Sequence, residues 1–288
     1  MKKITVVIVG MGFGKEFIPI YQKHPNIKSV GICTRNPATL KELKDKFNLD
    51  DDLLFTDFDE VVKREDVDAI HVVTPVPEHA KMTLASLNAN KHTACTIPMA
   101  MTVEDCKAIV EAKKRVNKVY MMMETALYTR EFLYGLKLAE TGKLGRIQFV
   151  RGSHIQDMSM DGWADYWKGY PPMLNGTHAI SPLLRINNTI AESVVCHGSG
   201  QLTEDLAKRY NSPFAVETAT FKLKNSNVVA ELSTFCDLPS ITIQSGLMVI
   251  VMVQFVAVIS ARGLFNEQLL SSFVLNSKFK AGLERLNP

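Results

Sequence analysis

Three closely spaced glycines carry the first chemistry this chain could do. The stretch IVGMGFGKEF puts Gly10, Gly12 and Gly14 directly after an apolar run and at the opening of a helical pattern. Gly10 would permit a tight turn. Gly12 would let the main chain approach a diphosphate, whose charge would meet unpaired N–H groups at a helix start. Phe13 lies inside the same turn. The third fingerprint position holds Lys15 instead of glycine, with Gly14 one residue early, and a plain tight turn is the competing reading. At the end of the next strand, VGICTRN offers Thr34 and Arg35 where a carboxylate would select NAD through the ribose 2′-hydroxyl. A hydroxyl and a guanidinium suit a 2′-phosphate, which slightly favours NADP. Arg35 as a solvated loop residue stacked on adenine is the other reading.

Two later stretches carry polar groups suited to a substrate. YMMMETALYTREF follows a strand, so Glu124, Tyr128 and Arg130 emerge at its carboxyl end, where open α/β sheets bind ligands. Met121 to Met123 are expected in the core, and Glu124 could simply begin the next helix. In RGSHIQDMSMDGWADYW, His154 and Gln156 share one strand face, and Asp157 points the other way unless the strand has ended. Trp163, Tyr166 and Trp167 could stack on a sugar ring. An ordinary solvated face beside a packed aromatic cluster is the alternative.

The elements that must position these groups alternate regularly. Strands are expected at Ile4–Val9, Ser29–Cys33, Leu53–Phe55, Ala69–Val73, Thr93–Cys95 and Val119–Met122. Helices are expected at Gly14–Lys23, Pro37–Phe47, Asp57–Val62, Glu78–Asn88 and Thr102–Asn117, with Asn36 as a cap before Pro37. Strand, crossover helix and parallel strand in repetition predict a doubly wound α/β sheet of the Rossmann type.

Composition narrows the rest. The 288 residues are 46% hydrophobic and 22% charged, enough for a large core in two domains. A net charge of +3, from 33 basic and 30 acidic side chains without a basic stripe, argues against nucleic acid. Five cysteines without CxxC spacing fit reduced thiols in a cytoplasmic protein. The dispersed histidines suggest no metal site. The first apolar run is too short, and too quickly broken by glycine, to be a secretory signal.

Several linked motifs over about residues 3–240 resemble the glucose–fructose oxidoreductase, inositol dehydrogenase and MocA (Gfo/Idh/MocA) family. DAIHVVTPVPEHAKMTLASLNANKHTACTIPMAMT is similar to that family's fourth strand, Thr-Pro turn, helix, fifth strand and cis-proline loop. The resemblance implies that Thr74, Pro75, His79, Thr96 and Pro98 border the nicotinamide of the cofactor. TGKLGRIQFVRG resembles the entry to the family's second domain, an α+β unit with a mostly antiparallel open sheet that carries the substrate pocket and a homo-oligomer interface. LNGTHAISP aligns with the helix that supplies the family's catalytic histidine, here His178, with Thr177 beside it in the substrate region.

The departures bear on catalysis. Most members read Glu-Lys-Pro where this chain has Thr96, Ile97 and Pro98, and isoleucine cannot help position or deprotonate a hydroxyl. The aspartates expected around the histidine are replaced by Leu174 and Ser181. The chain is similar to a variety of the family with Thr-Ile-Pro at this place. His178 alone could act as general acid/base, since imidazole titrates near working pH. It would gain from a carboxylate or second imidazole, and Glu124 and His154 are candidates.

The expected organisation is a dinucleotide-binding domain over 1–123, a substrate and oligomerisation domain over 124–245, and an atypical apolar tail over 246–288. From Leu238 to Ala261 there is no charge. A membrane span needs about 20 mostly apolar residues, and the nearly all-apolar core within it, Leu247–Val253 with Phe255–Ile259, is shorter and broken by Gln254. Codons consistent with 247–255, read one base earlier, encode Phe-Asp-Gly-Tyr-Ser-Asp-Gly-Ser, which resembles the family's next strand. A reading frame lost near Gln244–Gly246, or a truncated second domain, is therefore the expectation for the tail.

These readings predict a cytoplasmic NAD(P)-dependent oxidoreductase moving a hydride between the nicotinamide and a sugar, polyol or related hydroxy compound. No nucleic-acid or membrane partner is expected. The alternative is a catalytically impaired nucleotide-binding paralogue or sensor. A lyase or hydrolase that recycles its bound cofactor, as some relatives do, is a third reading.

Overall fold

The computed structural model describes residues 3–156, 158 and 163–236, and the backbone of 252–260. Six parallel strands form the first sheet: β1 (Ile4–Val9), β2 (Ile27–Cys33), β3 (Leu54–Phe55), β4 (Ala69–Val72), β5 (His92–Thr96) and β6 (Tyr120–Met123). They lie in the order β3-β2-β1-β4-β5-β6, the doubly wound topology expected, with the order reversing between β1 and β4. The crossovers are α1 (Met11–Gly14) continuing through a 3-10 turn into α2 (Ile18–Lys23), then α3 (Pro37–Phe47), α4 (Phe58–Lys63), α5 (His79–Asn88) and α6 (Val103–Arg115).

Local sequence explains the boundaries. β1 is central, so Val6, Val7, Ile8 and Val9 are buried and read as a continuous apolar run. Burying side chains of this kind stabilises the fold by about 1.5–3 kcal/mol each. Asn36 caps α3 by accepting from the Ala38 N–H at 2.9 Å, and Pro37 takes the first turn, where its missing N–H costs nothing. The first helix starts at Met11 rather than Gly14, because Gly10 alone makes the turn. Met121, expected in the core, is exposed on β6, which is an edge strand of the sheet.

The second sheet is mixed and mostly antiparallel. β7 (Arg146–Ile155), β8 (Ala191–Ser199), β9 (Val216–Leu223), β10 (Val229–Phe235) and β11 (Met252–Ser260) lie in the order β11-β7-β10-β9-β8, with only β7 and β10 parallel. Helices α7 (Arg130–Glu140), α8 (Thr177–Ile186) and α9 (Glu204–Tyr210) accompany it. Val150, Leu183, Ile186, Leu223 and Ala230 form its core beneath α8. Val76, just past β4, packs with Met158, Tyr170 and Cys236 and so joins the two units.

Part of the expected apolar tail is strand. Residues 252–260 run antiparallel to β7. Residues 246–251 and 261–288 lie outside the described residues, as does Asp157. No described helix is long and apolar enough to cross a membrane.

Candidate functional site

Parallel register brings the carboxyl ends of the central strands to one edge. Val9 pairs with Val72, Val72 with Cys95, and Thr96 with Met123. Gly10, Thr74, the Thr96–Pro98 loop and Glu124 therefore leave the sheet side by side.

The glycine turn has the form a close ligand needs. Gly10 has φ +94°, and a Cβ there would stand 2.4 Å from the Val73 carbonyl oxygen. Only glycine fits. Gly14 packs against Ile8 and Met11, so it performs the close helix–strand packing despite its early position. A Cβ on Gly12 would meet nothing within 4 Å, which leaves room for a diphosphate against its backbone. Phe13 beside it is exposed. A cavity of about 330 Å³ opens next to the turn, lined by Met11, Gly12, Lys15, Thr34, Thr39, Glu42 and Leu43. Arg35, next in the chain to Thr34, is exposed. Thr39 and Glu42 had not been expected there. Their spacing of three residues on α3 puts them on one helix face, the signal that could have found them.

His79, expected to line the nicotinamide, bonds to both of the loops that leave β4 and β5. Its ring is buried, with Nδ1 2.8 Å from the Pro98 carbonyl oxygen and Nε2 2.8 Å from that of Thr74. The imidazole thus ties the turn after β4 to the loop after β5. Pro75 begins the former turn, and the Ile97–Pro98 peptide in the latter is cis. Thr96 Oγ1 lies 3.5 Å from the same imidazole.

The chemical centre is formed by residues far apart in sequence. Glu124, at the end of β6, is 3% exposed, and its Oε1 accepts from His178 Nδ1 at 2.6 Å and from the Ala126 N–H at 2.9 Å. Rather than beginning a helix, Glu124 caps a 3-10 turn and pairs with the imidazole. Burial pushes its carboxyl up, but the His178 bond and charge outweigh that and hold it below the ordinary carboxylate range. His178 sits in the first turn of α8 with its side chain 22% exposed. Nδ1 is committed to Glu124, so Nε2 is the ring nitrogen left to take or give a proton.

His154 meets this pair from β7. A Cβ on Gly152 would stand 2.9 Å from the Ala179 carbonyl oxygen, so β7 and α8 approach closely there. Two residues on, the His154 ring centroid lies 5.0 Å from that of His178, with the planes tilted by 40°. His154 is 2% exposed and hydrogen-bonded to Gln156 Oε1 at 2.9 Å. The expectation that it lines a substrate surface is corrected: it is buried behind His178.

The remaining candidates are dispersed. Thr177 precedes His178 at the start of α8, while Tyr128 is exposed on the turn after Glu124. Trp163 and Trp167 pack edge to face at 5.9 Å around buried Tyr170, the packed aromatic cluster rather than an open stacking platform. Among the described residues no His, Cys, Asp and Glu side chains group as metal ligands, and the five cysteines form no disulfide. Cys33, Cys95 and Cys236 are buried, and Cys196 is exposed.

Residues 4–124 match the model of the oxidoreductase family with an NAD-binding Rossmann fold, GFO_IDH_MocA. This part of the chain belongs to that family. Among curated Gfo/Idh/MocA relatives, a glycosyl hydrolase family 109 protein of Porphyromonas gingivalis is 26% identical over 186 residues, 62% of this chain and 40% of the relative. The chain thus spans less than half of that relative's length. Among solved structures, scyllo-inositol dehydrogenase from Lactobacillus casei with bound NAD(H) and scyllo-inositol is 22% identical, with a TM-score of 0.68 over 82% of this chain and 70% of that one. Myo-inositol 2-dehydrogenase from Lactobacillus plantarum is 20% identical, with a TM-score of 0.70 over 82% and 70%. These two likenesses show the fold of both units.

Proposed function

We propose that the chain is a cytoplasmic NAD(P)-dependent oxidoreductase acting on a CH–OH group of a sugar, polyol or related hydroxy compound. One observation carries this reading. A buried carboxylate, Glu124, orients the imidazole of His178 at the carboxyl edge of a family Rossmann sheet. The strained Gly10 turn and the open space over Gly12 fit a dinucleotide's diphosphate, and Thr34, Arg35 and Lys15 suit its adenosine end. NADP is slightly preferred, through Thr34 and Arg35, although Glu42 sets one carboxylate in the same cavity. Thr74, Thr96 and Pro98 would border the nicotinamide, with His79 holding their loops.

The bound nicotinamide supplies the two-electron acceptor or donor. The protein's own part is proton transfer and orientation. His178 Nε2 takes the substrate hydroxyl proton as the carbonyl forms, and returns it in the reverse direction. Glu124 fixes the ring and stabilises the imidazolium that results. Ile97 takes no part in this proton transfer, and the Glu124–His178 pair takes over the work of the lysine that the family usually has there.

The curated relatives named glycosyl hydrolase family 109 favour a second reading, in which the cofactor is reduced and reoxidised within one cycle while a glycosidic bond is cleaved. A cofactor-binding sensor is the outcome without turnover. We place the domain boundary at 123/124, and the half-exposed Val194 and Val195 on edge strand β8 support a homo-oligomer through the second sheet. Exposed, unbridged Cys196 supports a reducing compartment. The test is incubation with NAD or NADP and a panel of sugars, inositols and glycosides, following both nicotinamide absorbance and products. Net cofactor reduction supports the oxidoreductase, and glycoside cleavage without net absorbance change supports the second reading. Binding without any product leaves the sensor.

A further inference from the structure

We propose that His154 is a positioning residue, an uncharged imidazole oriented by Gln156 that braces the His178 ring while Glu124 holds its Nδ1. The proposal rests on the functional reading above and deepens it by adding a member that touches no substrate.

Geometry selects one form of the ring. The Gln156 amide oxygen faces His154 Nε2 at 2.9 Å, so Nε2 carries the hydrogen and donates it. His154 Nδ1 is buried without a hydrogen-bond partner. In the neutral Nε2–H form this nitrogen is a bare lone pair. The other neutral form would set two lone pairs against each other at Gln156 and bury an unpaired N–H. The cation would bury a charged N–H with nothing to accept it, the costliest of the three arrangements. Burial, helped by the nearby His178, lowers the ring to about 4, against the opposing pull of Gln156 and Glu124. His178 from α8 and Glu124 from the end of β6 are the titratable groups that act on it.

The consequence concerns how charge is divided in the site. His178 exchanges its proton beside one fixed carboxylate and one aromatic ring that stays uncharged at working pH. A second cation 5.0 Å away would oppose imidazolium formation, and an empty space would let the His178 ring turn away from Glu124. Gly152 is the feature that makes the contact attainable, because any side chain there would push α8 off β7.

The experiment uses imidazole nitrogen NMR on the full chain, with His154→Asn to assign the signal. The wild-type His154 signal is expected to keep the neutral Nε2–H pattern from about pH 8 to about pH 5, below the free imidazole value of about 6.5. A Nδ1–H pattern, or titration near the free value, in the wild-type chain overturns the proposal. In turnover, His154→Ala should lower kcat by on the order of 10- to 100-fold with little change in KM or cofactor affinity. His154→Phe, which restores a ring without nitrogen, should recover most of the loss. Equal KM and cofactor losses in both variants would mark a merely structural side chain and overturn the brace. A wild type that turns over no substrate yet shows neutral Nε2–H His154 removes the oxidoreductase reading and leaves the ring's geometry standing.

Discussion

The carboxylate of Glu124 and the imidazole of His178 meet at 2.6 Å although 54 positions separate them in the chain. One ends the last strand of the first sheet and the other begins the helix that packs on the second. Replacing Glu124 with glutamine keeps the shape but removes the charge that stabilises the imidazolium. We expect kcat to fall by about 10- to 1,000-fold, with cofactor affinity nearly unchanged. Steady-state kinetics paired with calorimetry checks both halves.

The glycine turn separates folding from binding. Gly10→Ala puts a Cβ against the Val73 carbonyl at a positive φ, and should destabilise the chain by about 1–3 kcal/mol. At Gly12 an added Cβ would find open space, so for Gly12→Val thermal unfolding should stay close to wild type while cofactor affinity falls at least about 10-fold, because the side chain would occupy the diphosphate's place. Thermal melts with and without cofactor distinguish the two.

Acid should weaken the fold in two stages. His71 and His154 are buried, and burial lowers both to about 4. Between about pH 6.5 and about pH 4 the unfolded chain binds protons that these rings do not, so stability falls by about 1.4 kcal/mol per pH unit for each. Glu124 behaves as a carboxylate held low. Its stabilisation is present above the unfolded value of about 4.3 and is lost as pH drops through its folded value. His71→Leu lies away from the proposed chemistry, beneath α2, and should remove one histidine's share of the slope. Denaturant midpoints across a pH series measure it.

Cofactor choice is testable at the end of β2. Arg35→Ala should weaken NADP by about 10-fold and leave NAD within about 2-fold, since only the former carries a 2′-phosphate for the guanidinium. Competition of the two coenzymes for one preparation reads the ratio directly.

Much of the first sheet was legible because its signals are local. Apolar runs, Asn36 before Pro37 and the Gly10 turn each act within a few residues, and α3 spans the residues expected. The helix after β1 began three residues early, because its start is set by the left-handed Gly10 rather than by apolar period. Met121 was misjudged since edge position is a property of the whole sheet. The Thr-Ile-Pro loop was legible as to position, but His79 was not legible as the tie between two loops, which needs the distances to two carbonyls. His154 could be put on one strand face with Gln156, yet its burial depends on how closely α8 rides over Gly152. The Glu124–His178 bond depends on the packing of two units against each other, and no local pattern encodes that.

The most direct measurement compares wild type with His178→Ala at saturating nicotinamide cofactor, following its near-ultraviolet absorbance against a panel of inositols and sugars, with cofactor binding measured on both. The account predicts turnover of at least one hydroxy compound, slowed about 10²- to 10⁴-fold by the substitution, with equal cofactor affinity. Equal rates in the two proteins, or no cofactor binding by wild type, would contradict it.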